Sequence, residues 1–243
     1  MPATYLSSGK RQPIPDSAEG LAKVLESNSQ TSFEIRIKND LPLELLRKAS
    51  VIQVKQRIKN SLTPDKNIIQ AVEALDEAHA SLNLISERFI TWYSQITGNP
   101  RTKIELILSE KEFPSQLFFL RDHYLETAKL ISLLSEYIDS EAPLIFPLIV
   151  ELLGTQLAAR FVASAGSLSK LARMPSSTVQ LLGAEKALFR HISEGSPPPK
   201  HGFLYQHPSI KKALKKDKGR LSRKLAAKVA IASKIDFYKE KYE

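Results

Sequence analysis

The chain has 243 residues, room for one large domain or two to three small ones, and its 42% hydrophobic content suits a packed core. It has no cysteine, which excludes disulfides, a thiol nucleophile and cysteine-bearing zinc sites. The net charge of +9 is one-sided: residues 200–243 carry 13 Lys and Arg against 4 Asp and Glu, so residues 1–199 sum to zero.

The opening residues MPATYLSSGKRQPIP contain no apolar run and do not read as a secretory signal. Residues 7–15 read as flexible, and Phe33–Ile37 alternates as a short strand does. From Leu41 to Ile58 the pattern turns helical, with Leu45, Ile52 and Val54 among its apolar positions. Thr63-Pro64-Asp65 is a helix start, with proline in the first turn and a carboxylate near the positive end. Ile68, Leu75, Leu82, Phe89 and Ile96 then recur every seven residues, with Ala71, Ala78, Ile85 and Trp92 between them. Gly98-Asn99-Pro100 ends that run. A second seam holds Leu117, Tyr124, Ile131 and Ile138, interleaved with Leu120, Thr127 and Leu134. Two such helices in one chain fold back most simply as an antiparallel coiled coil. Leu84, Ile90, Phe118 and Phe119 lie off the seams and leave a second face available. The most apolar stretch, Pro143 to Leu153, is too short to span a bilayer, and a soluble protein is expected.

Beyond residue 150 the composition shifts to small residues: Gly154, Ala158, Ala159, Ala163, Ala165 and Gly166 suit close-packed helices. The spacing of Leu181, Leu188 and Ile192 predicts a helix from Pro175 to His191 with one buried stripe, and it puts Lys186 and Arg190 on one face. Three prolines, 197–199, stop that helix and present Lys200-His201-Gly202, where glycine permits a conformation or a backbone approach that other residues would block. Residues 211–218 are a lysine run, and Gly219–Asp236 reads as a closing helix. Its Arg220, Arg223, Lys224, Lys228 and Lys234 fall within an arc of roughly 140°, opposite Leu221, Leu225, Val229 and Ala232. Ile231 and Ile235 intrude on that basic arc. Basic charge gathered at one end is the footprint of a polyanion binder. RNA or DNA fits better than an acidic membrane, because no amphipathic segment offers a large apolar wedge.

No phosphate-cradling GKS/T loop, GxSxG or HExxH is present. His191, His201 and His207 are spaced by ten and six residues across a proline turn, which matches no metal pattern. No catalytic residue, metal or other cofactor is expected.

The segments GSLSKLARMPSSTVQLL, GAEKALFRH and PKHGFLYQHP resemble the signature of the Nop domain, with a match running from about Leu152 to Tyr238. DKNIIQAVEALDEAHASLNLISERFITWYSQ resembles the coiled-coil insert of the same family, and GRLSR its closing helix. The resemblance implies a mainly α chain: an antiparallel coiled coil joined to a compact all-helical Nop domain. The expected divisions are 1–62, a short N-terminal segment and linking helix; 63–150, the coiled coil; and 151–243, the Nop domain. The family's proteins are cores of box C/D RNA–protein particles or a related spliceosomal factor. They grip a kink-turn RNA jointly with a small ribosomal-protein-like binder.

Carried over residue by residue, the resemblance makes Gly183, Ala184, Glu185 and Lys186, then Leu188, Phe189 and Arg190, RNA-contacting. His191, Lys200, His201, Arg220, Arg223, Lys224 and Lys228 complete the expected interface. The implied function is a scaffold for guided RNA 2′-O-methylation, with self-association through the coiled coil and catalysis left to fibrillarin. The short stretch before the coiled coil leads to an expectation of weak or no fibrillarin docking. The setting would be cytoplasmic in an archaeon and nuclear or nucleolar in a eukaryote. The alternatives are a splicing-type Nop factor and a basic coiled-coil adaptor that binds RNA non-specifically.

Overall fold

The computed structural model describes residues 4–7, 10–13, 15, 17–29, 42–99, 103–109 and 114–239, and these fall into two compact units, Met1–Thr63 and Pro64–Glu243. In the first, β1 (Thr4–Ser7) pairs antiparallel with β2 (Lys10–Pro13), Tyr5 opposite Gln12 and Leu6 opposite Arg11. This corrects the expectation of a flexible stretch there. The strand expected at 33–37 lies outside the described residues. Helix α1 (Ala18–Ser29) packs against α2 (Leu43–Asn60) through Leu21, Ala22 and Ala49, flanked by Leu25, Leu45, Leu46 and Ile52. Val54, grouped with the apolar positions of this helix in the sequence, is exposed.

The second unit is organised on α3 (Pro64–Thr97), whose 34 residues make a rod about 50 Å long. After α4 (Ile104–Leu108), helix α5 (Phe118–Ile145) returns alongside it. The pairing is antiparallel: Phe89 and Tyr93 near the end of α3 meet Leu117, Leu120 and Tyr124 at the start of α5. Ile68 and Leu75 share the opposite end with Ile138 and Ala142. Every expected seam residue of the returning helix is buried or half-buried. In α3 the seam drifts instead. Trp92 and Ile96, expected inside, are each 41% exposed, and Tyr93 is buried in their place. A straight helix lags a strict seven-residue repeat by about 20° per heptad, so after several heptads the neighbouring residue takes over the inward position.

Among the described residues seven more α-helices follow: α6 (Pro147–Leu153), α7 (Thr155–Ala165), α8 (Leu168–Arg173), α9 (Ser176–Leu181), α10 (Glu185–Glu194), α11 (Pro208–Lys211) and α12 (Lys218–Lys239). Small residues at 158, 159 and 165 let α7 sit at the centre, where Phe161 and Val162 are fully buried. Two buried carboxylates hold remote elements together. Asp65, in the first turn of α3, accepts the backbone N–H of Leu168 at 2.7 Å and so caps α8. Asp236, near the end of α12, accepts from Leu148 and Ile149 at 3.1 and 3.0 Å and caps α6. Among the described residues no single helix is long and apolar enough to cross a membrane.

The core does not pause at residue 150. Ile68, Val72 and Leu75 of α3, and Ile138 and Ala142 of α5, belong to the same cluster as Phe161, Leu171, Leu204 and Val229. A fragment 151–243 lacks those partners, of which the Ile, Val and Leu side chains are each worth ~1.5–3 kcal/mol of burial. Such a fragment is expected to melt without a cooperative transition in circular dichroism, whereas 64–243 melts cooperatively. A sharp transition in the short fragment would make it a separately folding domain. Charge placed in the seam by Leu82→Asp with Leu134→Asp, both half-buried, should lower the melting temperature of the whole unit rather than of the coiled coil alone.

Candidate nucleic-acid interface

The helix expected from 175 to 191 is two helices. α9 ends at Leu181, and α10 starts at Glu185 after a turn through Gly183, whose φ of +82° lies in the left-handed region. The break has a tertiary cause. Leu182 leaves the helical region at ψ 129°, and its carbonyl, turned out of the helix, accepts the N–H of Phe203 at 2.8 Å. The expected buried stripe is also absent: α10 has no buried residue, Leu188 is half-buried and Ile192 is 74% exposed. Spacing puts Leu188 and Ile192 on one side of the helix correctly, but among the described residues that side is left largely open, Leu188 being half-buried and Ile192 exposed.

Residues 184–201 therefore leave the core as a finger and return to it through a narrow neck. At the neck the N–H of Gly202 donates to the Gln180 carbonyl at 3.0 Å, next to the Phe203–Leu182 bond. The Gln180 side-chain amide donates to the Lys200 carbonyl at 2.7 Å. A Cβ at Gly202 would overlap the Leu182 carbonyl oxygen, and one at Gly183 would come within 2.6 Å of the Phe203 ring. Phe203 in turn meets the buried ring of Phe161 edge-on, with centroids 6.1 Å apart. The backbone approach expected at Gly202 is thus what the structure shows.

On the finger, Lys186 and Arg190 are exposed four residues apart and have no ion-pair partner among the described residues. Phe189 is 72% exposed between them. Glu185 braces the turn, its carboxylate accepting the Gly183 N–H at 2.7 Å, while Ala184 is half-buried at the start of α10. His191 turns inward, its Nδ1 bonded to the Ser196 carbonyl oxygen, which makes that nitrogen the protonated one. Lys200 is exposed. Its stem runs beside Gly219, at the start of α12. His201 stacks on Tyr205, ring centroids 4.7 Å apart and 24° from parallel. Lys218 Nζ lies 4.5 Å from the centre of the Tyr205 ring and donates to its hydroxyl at 3.1 Å. Tyr205 was not singled out in the sequence, and Lys218 entered only as the last residue of the 211–218 lysine run. The one signal was an aromatic residue in a segment with no helical period.

The stack leads into the basic side of α12. Arg220 is paired with Asp217 at 3.3 Å, but Arg223, Lys224 and Lys228 are exposed and unpaired among the described residues. Ile231 and Ile235 interrupt the stripe in the open, as their spacing suggests. On the opposite side Leu221 and Leu225 are half-buried and Val229 and Ala232 buried. The interface thus offers unpaired cations, ring faces and exposed apolar side chains, the chemistry that holds phosphates and unstacked bases. His207 bonds Ser209 and caps α11, and among the described residues no cluster of three or more His, Cys, Asp or Glu is placed to hold a metal.

The chain is similar to known proteins in sequence and in fold. The model of the Nop family, described as "snoRNA binding domain, fibrillarin", matches residues 58–243. A NOP5 family protein of Methanocaldococcus jannaschii is 34% identical over 220 residues, covering 71% of this chain and 52% of that protein. Nucleolar protein 58 of Dictyostelium discoideum is 30% identical, covering 74% of this chain and 35% of its own length. Nucleolar protein 56 of Caenorhabditis elegans is 48% identical over 107 residues, 44% of this chain and 22% of that protein. The chain spans about half or less of the length of the curated relatives it matches. A chain from the crystal structure of a fibrillarin/Nop5p complex has the same fold at a TM-score of 0.55 and 23% identity, with 97% of this chain and 92% of that one covered.

Proposed function

This chain belongs to the Nop family, and from that premise we propose that it is an RNA-binding scaffold of a box C/D RNA–protein particle. In detail, it recognises a kink-turn RNA together with the ribosomal-protein-like protein already bound to that RNA. The observation that carries this reading is the finger, whose helix buries no residue of its own and holds unpaired Lys186 and Arg190 beside exposed Phe189. A surface of cations alone suits any polyanion. Exposed apolar side chains set among cations suit a composite target, with phosphate on one side and protein or unstacked base on the other. We assign no catalytic step to this chain: on this reading, methyl transfer in the particle belongs to fibrillarin. Fibrillarin is a proposed partner of the assembly, and the coiled coil a proposed self-association element. The site of action is the cytoplasm for an archaeal source and the nucleolus for a eukaryotic one.

Filter binding at two salt concentrations tests the reading, with a preformed kink-turn protein–RNA complex set against naked duplex of equal length. The wild type is expected to prefer the complex at both. Neutralising Lys215 and Lys216, both exposed, should weaken both targets about equally and make the salt dependence shallower by roughly one unit for each phosphate-bound lysine removed. Equal affinity of the wild type for both targets would make the chain a non-specific basic adaptor.

A further inference from the structure

The neck at residues 180–183 and 200–203 is more than a chain reversal. Helix α10 has no buried residue to anchor it, so its position over the core is set from its ends. One end is the Gly183 turn, packed on the Phe203 ring and braced by the Glu185 carboxylate. The other is the Gly195–Lys200 return, fastened to α9 by Gln180 through the Lys200 carbonyl. Of the expected RNA contacts, Lys186, Phe189 and Arg190 lie between these two fastenings, and Lys200 and His201 lie at the second. Recognition by two surfaces at once requires the contacting groups to be held in a fixed geometry, because ordering them on binding costs affinity.

We infer that Gln180, Gly202 and Phe203 are positioning residues that present the finger as one body, and that selectivity for a composite target depends on them although none carries charge. This rests on the proposed function for what the finger binds, but not for how it is held. Without the Gln180–Lys200 bond the return loses its side-chain fastening to α9, and the far end of α10, which buries no residue, is held less firmly. Cations on a loosened finger still attract phosphate, because counterion release needs no fixed geometry. What disappears is simultaneous engagement of the second surface.

The test uses the full chain with Gln180→Leu, which removes the donor at nearly constant size, and Gly202→Ala, whose Cβ forces the neck apart. Amide hydrogen exchange on the free protein is expected to speed up at 184–201 in both variants and to stay unchanged in α3, α5 and α7. Affinity for naked duplex should hold within about twofold, while affinity for the kink-turn protein–RNA complex should fall about 5- to 20-fold for Gln180→Leu and further for Gly202→Ala. Unaltered exchange in Gln180→Leu would overturn the inference whatever the RNA data show. So would faster exchange with unaltered selectivity, which would mean the finger works without being held. Should Gly202→Ala fail to fold, Gln180→Leu decides alone. A wild type that does not distinguish the two targets counts against the proposed function, while the exchange measurement still judges the neck.

Discussion

Replacing Lys186 and Arg190 together by alanine should abolish the preference for a preformed kink-turn complex over naked duplex, a loss of about 100-fold in affinity for the complex. The size follows from two charge-assisted contacts at ~1.5 kcal/mol each, with about 1.4 kcal/mol to a factor of ten. Both side chains are exposed and unpaired among the described residues, so neither substitution breaks an internal ion pair or opens a cavity. The melting temperature should therefore hold within a degree or two, which separates loss of recognition from loss of fold. Phe189→Ala removes an exposed ring and leaves the charge intact. It should reduce affinity for the complex by a smaller factor and leave duplex binding alone. If the double variant weakened both targets equally, Lys186 and Arg190 would be ordinary phosphate contacts, and the specificity would have to come from elsewhere on the surface.

What could be read from the sequence divides along a physical line. Patterns that depend on near neighbours were legible. The α5 seam from Leu117 to Ile138, the helix start at Pro64 and the two sides of α12 all follow from periodicity and turn chemistry. The departures arise where a remote partner decides. Trp92 was displaced by Tyr93 because small angular errors accumulate along a long helix. Leu188 and Ile192 share a face as their spacing requires, but spacing does not say whether anything covers that face. The break at Gly183 is made by Phe203, twenty residues on. Asp65 looked like a carboxylate serving its own helix, whereas it caps α8 across 103 residues. In the interface, the exposed cations could be named from the sequence. The neck that holds them could not, because its bonds join Gln180 to Lys200 and Leu182 to Phe203, pairs with no sequence signature.

Asp236 is the clearest such case, and it carries the largest expected effect on stability. In the sequence it is a lone acid near the end of a basic helix. In the structure it is buried, 6% exposed, and its two oxygens accept the Leu148 and Ile149 N–H groups at the first turn of α6. Asp236→Ala strands both donors at about 1–3 kcal/mol each, so a total loss of about 2–6 kcal/mol is expected. For a unit of this size that lowers the melting temperature by roughly 4–24 °C. Burial pushes the Asp236 carboxyl above its ordinary value of 3.8, while the bonds from Ile149 and Leu148 and the nearby Lys239 charge pull it back only in part. The folded state therefore holds this proton more tightly than the unfolded chain. The stability that proton uptake contributes is complete below about pH 4 and is lost as pH rises through the folded value. Other carboxylates titrate in the same range, so the informative quantity is the unfolding free energy of wild type minus that of Asp236→Asn. The amide keeps an acceptor for one N–H and cannot ionise. That difference should fall steadily from pH 4 upward and level off above the folded value. Denaturant unfolding at a series of pH values measures it. A difference that grew with pH instead would mean the carboxylate is held charged, with the two α6 amides outweighing its burial.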